Sequence, residues 1–393
     1  MIPRQSVAQG IITLCLITTI GFASNANDTA QTRDPLQKTR FSFREVAMGC
    51  EMRIELFAED STQAQNLARA AFDRVHALDD VLSDYRATSE VGRLAMRPET
   101  SILISRDLAD AVRRSLLISQ ATDGLFDAAI GASTQLWRNA RKNGVIPDDN
   151  AIAQANSQGG WHAITLSFDA KSDGPLLTFS HPGLRLDFGG IGKGLAAQSV
   201  LEKLRSLGAS SAMCAVAGDI ACGDPPPGTN GWTINVVSGL DGVPSCELLL
   251  HNQCVSTSGD ESQHLDANGT RYSHVLDPRT GHAVTRRIAA TVISCNGAIA
   301  DGLATALCVG GPELLARSAD LRTALGDFQA RVAEITPTQQ LSPAISVTSG
   351  WNAIVASTNS RHDQASPLAP AVADQTATKA ASDSSDLKAP HPK

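Results

Sequence analysis

No stripe of lysine and arginine runs through this chain. Its formal net charge is −7 at pH 7 with 19% charged residues, so the composition speaks against a nucleic-acid-binding surface. There is no C-x-x-C pair, which removes the zinc-knuckle and thioredoxin-like readings. No repeat of solenoid length is present, which argues against a repeat architecture. Past the N-terminus, no segment reads as long and apolar enough to span a membrane. Two phosphate-binding fingerprints fail as well. A Walker A loop ending at Gly192-Lys193 would need glycine where Asp187 stands and Ser or Thr where Gly194 stands. A dinucleotide fingerprint starting from Gly190 and Gly192 would need a third glycine at Leu195.

At the N-terminus, Arg4 precedes an apolar run from Ile11 to Phe22, and small residues follow up to Ala26. That pattern predicts a secretory signal peptide over residues 1–26 and an exported protein. Its removal leaves Cys50, Cys214, Cys222, Cys246, Cys254, Cys295 and Cys308. The count is odd, so at least one thiol stays unpaired. Cys246 and Cys254 are candidates to bridge neighbouring strands, but connectivity is not readable from sequence.

Residues 27–40 are a polar lead-in. Alternating Phe41, Phe43, Met52, Ile54 and Leu56 predict strands around Gly49. Ala64, Leu67, Ala71, Val75 and Leu78 recur at helical spacing over residues 61–80, and a second helix over 104–121 is capped near Ser105. Residues 138–160 read as a polar insertion or surface helix, followed by short strands at 162–168 and 175–180. Further strands are expected at 211–216, 231–237, 246–251, 270–276 and 287–294, and helix over 193–207 and 297–319. Helices and strands mix without regular βαβ alternation, which predicts an α+β fold of largely antiparallel sheets over residues 41–357. From Thr358 the chain has almost no large apolar residues and reads as a disordered tail.

The run LDFGGIGKG, residues 186–194, reads as a strand end (Leu184 to Phe188), a glycine turn and a helix start. Free N–H groups at a helix start attract anions, and glycines let a phosphate approach the main chain. The same run also fits a plain strand-to-helix turn. In ADGLATAL, Asp301 and Thr305 lie four apart and share a helix face. Their oxygens suit Mg²⁺, though a dipole-facing Asp and a back-bonded Thr would look alike. In RYSHVLDPRTG, His274 beside Asp277 could exchange or orient protons, or Asp277 could simply cap the turn. Three weaker signals are AGDI (217–220), a turn or a ligand-facing strand end, SDYRATSEVGRL with Tyr85 and Ser89, and TSGD (257–260), a tight turn.

Singly each signal is weak, but their order is not. AMGCEMRIEL, LSDYRATSEVGRL, TDGLFDAAIGA, LDFGGIGKG, AGDI, STSGD, YSHVLDPRTG and ADGLATAL, in this succession over residues 41–335, resemble the FAD:protein FMN transferases, the ApbE-like flavin transferases. The resemblance implies a periplasmic or inner-membrane-associated enzyme that does not span the membrane once its signal is removed. Such an enzyme uses Mg²⁺, cleaves FAD, and attaches FMN to a threonine of a target protein, an electron-transfer subunit, with release of AMP. It implies that Met48, Tyr85, Phe126, Asp127, Ala128, Asp187, Lys193 and Leu276 line the FAD site. Gly190 through its carbonyl, Asp301 and Thr305 would hold the metal. His274 would serve as general base or hydroxyl-positioning group, oriented by Asp277. Hydrolysis of FAD to FMN and AMP, or FAD binding without transfer, would use the same residues. The chain departs from the family pattern at Cys50, where Thr is usual, at Gly302, where Ala is common, and in the polar stretch ESQHLDANG.

Overall fold

The computed structural model describes residues 38–168, 174–260, 263–335 and 343–355. The signal peptide, residues 27–37 of the lead-in and the tail lie outside the described residues; Thr39 and Arg40 already belong to the first strand.

One antiparallel sheet of eight strands organises the molecule. Its strands follow each other in space as they do in sequence: β1 (Thr39–Ala47), β2 (Cys50–Ala58), β3 (Ala212–Val216), β4 (Asp219–Cys222), β5 (Gln253–Gly259), β6 (Arg287–Ser294), β7 (Phe328–Ile335) and β8 (Ala344–Val347). Tight two-residue turns join β1 to β2 and β3 to β4. In the first, Met48 (φ 52°) and Gly49 (φ 72°) are both left-handed, the backbone that matches the right-handed twist of a hairpin.

Helices cover one face of this sheet. α1 (Ser61–Leu82) buries Ala64, Leu67, Ala71, Val75 and Leu78 as their spacing requires, and Asp60 caps it by accepting the Gln63 N–H at 2.8 Å, a contact worth about 1 kcal/mol. α2 (Arg106–Ala121) is capped by Ser105, as expected. α3 (Gly131–Asn143), α4 (Gly192–Ser206) and α5 (Gly297–Ala316) complete the set that carries the site. A two-stranded ribbon (Trp232–Val236 with Cys246–Leu250) covers the sheet's other face through Trp232, Ile234 and Leu248.

Several expectations change here. Residues 184–188 are extended but not a strand: Asp187 N donates to Ala128 O at 2.8 Å and Gly131 N to Arg185 O at 3.1 Å, a loop-to-loop pairing rather than a ladder. TSGD runs through the end of β5, a central strand whose Thr257 hydroxyl meets that of Thr291 at 3.0 Å. The polar stretch 138–160 is helical in two parts, the end of α3 and the helix Asp149–Asn156. α3 is anchored by Trp137, which is 1% exposed, stacks on Tyr272 and donates to Gly281 O at 2.9 Å. Cys246 and Cys254 are both free thiols, and no disulfide occurs among the described residues. α5 is long and apolar enough to cross a membrane, contrary to the reading above; most of it is buried in the core, and Gly311 (φ 62°) breaks its helical path just before Pro312.

Candidate functional site: two charged clusters beside a glycine turn

α4 begins at the glycine turn without a side-chain cap of its own. The cap comes from α5, where Asp301 Oδ2 accepts the Gly194 N–H at 3.0 Å. This is possible because α4 and α5 cross glycine on glycine. A Cβ on Gly194 would lie 2.2 Å from Gly297 O, and one on Gly297 would lie 2.2 Å from Gly194 O. The anion drawn to this helix start is therefore the protein's own carboxylate. Gly189 N is likewise taken, by Asp187 Oδ1 at 2.7 Å. The expectation that the bare turn amides cradle a phosphate fails for these two.

Asp301 belongs to a buried cluster. Lys193 Nζ stands 2.9 Å from Asp219 Oδ2 and 3.7 Å from Asp301 Oδ2, and both carboxylates are almost wholly buried. Burial pushes the Asp301 carboxyl up to about 7; the Asp219 charge pushes the same way against Lys193. Burial opposes the charge on Lys193, but its two carboxylate neighbours hold it well above the ordinary lysine value. One turn along α5, Thr305 Oγ1 lies 3.0 Å from where a Gly190 Cβ would stand and 3.3 Å from Ser258 Oγ. So Thr305 reaches Gly190, and Asp301, four residues earlier on the same helix, reaches Gly194 at the start of α4. Gly302 also has a local reason, because Ile118 of α2 lies 2.5 Å from where its Cβ would be.

A second cluster forms at the rim. Arg138 of α3 bonds Asp84 and, at 3.2 Å, Asp187 Oδ2, while its guanidinium lies 3.9 Å above the Tyr85 ring. Tyr85 is 75% exposed. Burial and then the Asp187 charge raise the Asp84 carboxyl, against Arg138.

The remaining expected residues are placed as follows. Met48 reaches the start of α4, its Cε 3.6 Å from where a Gly192 Cβ would be. Phe126 lies beneath the turn, 3.3 Å from the corresponding Gly190 position. Asp127 is buried, with its oxygens accepting the Ala129 and Trp161 N–H groups at 2.7 and 2.8 Å. Burial raises its carboxyl against those two bonds. Ala128 offers its carbonyl to Asp187, and Leu276 is buried in the apolar cluster around Trp137. Ser89 is fully buried, capping the short helix Glu90–Leu94 instead of facing a ligand.

His274 and Asp277 do not pair. Asp277 is bound on both oxygens by Arg279, at 2.9 and 2.7 Å, so it acts as a turn carboxylate. His274 Nδ1 instead faces Gln263 O at 3.1 Å, which fixes the proton on Nδ1 and leaves Nε2 basic. Burial, helped by the Arg141 and Lys193 charges, lowers its pKa. Sequence reasoning passed over Asp84 and Arg138. It noted the AGDI segment without choosing Asp219, whose strand-end position after a hairpin was the available signal.

An α+β protein with two buried-charge clusters flanking a glycine turn has the makings of a site for a phosphorylated ligand and a hard cation. The chain belongs to the ApbE family, which matches residues 48–325. It is similar to the FAD:protein FMN transferase of Haemophilus influenzae (28% identical, over 59% of this chain and 69% of that one). It is similar also to that of Vibrio cholerae (26%, over 68% and 80%). The apo structure of Pseudomonas stutzeri flavinyl transferase ApbE matches 82% of this chain and 98% of its own, with a TM-score of 0.69 and 26% identity. The Vibrio cholerae flavin transferase ApbE, at 23% identity and a TM-score of 0.70, supports the fold.

Proposed function

We propose that this protein is a periplasmic FAD:protein FMN transferase. It moves FMN from FAD to a threonine hydroxyl of a target protein, an electron-transfer subunit, and releases AMP. The observation that supports this reading most is the meeting of two separate motifs, with Thr305 at Gly190 and Asp301 at Gly194 and Lys193.

These residues suit Mg²⁺. Among the described residues no group of three or more His, Cys, Asp or Glu forms a ready metal cluster, but the expected set needs only one such side chain. Asp301 gives a carboxylate, Thr305 a hydroxyl and Gly190 a carbonyl, all hard oxygens. Two buried carboxylates face one lysine, and that excess negative charge is what a cation would relieve. When bound, Mg²⁺ supplies charge neutralisation at the diphosphate.

In the transfer, the threonine oxygen forms a bond to the FMN phosphorus as the bond from that phosphorus to the AMP phosphate oxygen breaks. The threonine proton passes to His274 Nε2, and AMP leaves with the bridging oxygen. A lowered pKa keeps His274 neutral at pH 7 and able to accept that proton. Asp187 and Arg138 order the rim beneath Tyr85, whose exposed ring can pack on a flavin.

Incubating the protein with FAD, Mg²⁺ and a threonine-bearing target should add the mass of FMN to the target and release AMP. No added mass with any divalent ion would overturn the reading, and AMP release without a target would mark hydrolysis instead. His274→Ala should slow transfer about 100-fold. It should also abolish the fall in rate expected of the parent as pH drops through the His274 pKa, below the ordinary value of about 6.5.

A further inference from the structure

Three cations among the described residues act on these two clusters, and two are already matched. Lys193 stands between Asp219 and Asp301, and Arg138 between Asp84 and Asp187. The turn amides of Gly189 and Gly194 are bound by the protein's own carboxylates. The third cation is Arg141. It follows Arg138 by three positions on α3, so the two share a face of the helix. Its charge acts on Tyr85, Asp187 and Arg138, and also on His274. Among the described residues Arg141 makes no ion pair, and its Nη1 is buried without a hydrogen-bond partner. A guanidinium N–H removed from water with no acceptor is costly, and such groups in a folded protein call for an explanation. Burial and the neighbouring Arg138 charge lower its pKa, with Tyr85 and Asp187 acting the other way.

We infer that Arg141 is a phosphate-binding residue, donating from its guanidinium to the diphosphate of FAD between Tyr85 and His274. The inference rests on the flavin-transferase reading for the identity of the ligand. Its reason is charge. A diphosphate entering beside two clusters that each hold one more carboxylate than cation meets repulsion. Arg141 has an N–H without an acceptor, and a guanidinium suits phosphate oxygens in a way a lysine does not. Arg141 would then hold the diphosphate from the rim, beside His274.

The test titrates full-length protein, with Mg²⁺ present, against FAD and riboflavin by flavin fluorescence, and against inorganic pyrophosphate by competition. Thermal melts of Arg141→Gln and Arg141→Lys establish that both fold. Arg141→Gln should weaken FAD and pyrophosphate about 10-fold or more, as loss of a charge-assisted bond does, and leave riboflavin within about 2-fold. Arg141→Lys should recover part of the loss, and the salt dependence of FAD binding should flatten only in the glutamine variant. Unchanged FAD affinity in Arg141→Gln, or equal losses for FAD and riboflavin, would overturn the assignment while leaving the transferase reading intact. Parent protein that binds pyrophosphate through Arg141 but shows no affinity for flavin would sink the transferase reading and keep the anion site.

Discussion

The buried cluster and the rim cluster are built to the same formula, a cation between two carboxylates, and differ in everything around it. Asp219, Lys193 and Asp301 come from a strand end and two helices locked at a glycine crossing. Asp84, Arg138 and Asp187 come from a loop, a helix and an extended segment without strand pairing. The inner carboxylate side chains are 4% and 3% exposed, those of the rim 16% and 9%. The cation differs in kind too. Lysine is a compact point charge, so Asp301 is left with capacity for another cation. Arginine is a planar fork that bonds both rim carboxylates and covers an aromatic ring at the same time. In each cluster burial, then the second carboxylate, raises one member, Asp301 inside and Asp84 at the rim. Under the proposed function this contrast is a division of labour: an over-negative floor whose oxygens would suit a metal, and a less buried rim that would meet the flavin.

The largest effect that would test this contrast is at Asp301. Asp301→Asn keeps an acceptor for Gly194 N but removes the charge a metal needs, and FMN transfer should fall at least about 100-fold. The same variant should melt higher than the parent at neutral pH without Mg²⁺. The sign follows from linkage: a carboxyl raised on folding gives stability that is full below its unfolded pKa and lost as pH rises through its folded value of about 7. Unchanged transfer would erase the distinction between the two clusters.

At the rim, Arg138→Met should weaken FAD about 10-fold and lower stability by about 1–2 kcal/mol in urea melts, because Asp84 and Asp187 lose their shared cation while remaining partly solvated. The Mg²⁺ concentration for half-maximal transfer should hardly move. If it shifts as far as in Asp301→Asn, the clusters act as one unit. The smallest effect is expected at Cys50, where the thiol meets Ala47 O at 3.5 Å and feels the Lys193 and Asp219 charges. Cys50→Thr restores the residue expected from the family resemblance and keeps a donor, so transfer should stay within about 3-fold and stability within about 0.5 kcal/mol. Burial raises this thiol, so alkylation of the parent at pH 7 should be slow.

Much of this protein was legible in the chain because its signals are local. α1 and α2 are written in apolar spacing and in Asp60 and Ser105 caps, and the hairpin at Met48-Gly49 in alternation broken by a turn. The motifs LDFGGIGKG and ADGLATAL are paired through the family resemblance that their succession carries. What sequence could not supply was partnership at long range. Asp277 beside His274 in sequence looked like an orienter, yet Arg279, two residues on, takes it. Leu184 to Phe188 has the alternation of a strand, but among the described residues it bonds to the loop around Ala128 and Gly131 rather than to a strand. Asp219, Asp84 and Arg138 are ordinary surface letters in a sequence, and their chemistry exists only once folding removes water and sets them against each other. A carboxylate's pKa, a lysine's freedom to meet a phosphate, and an arginine left without an acceptor depend on burial and on neighbours a hundred residues away. The chain alone determined its elements and its motifs; the tertiary structure decided which charges are already spent and which remain for a ligand, because electrostatic energy is set by distance and desolvation rather than by sequence order.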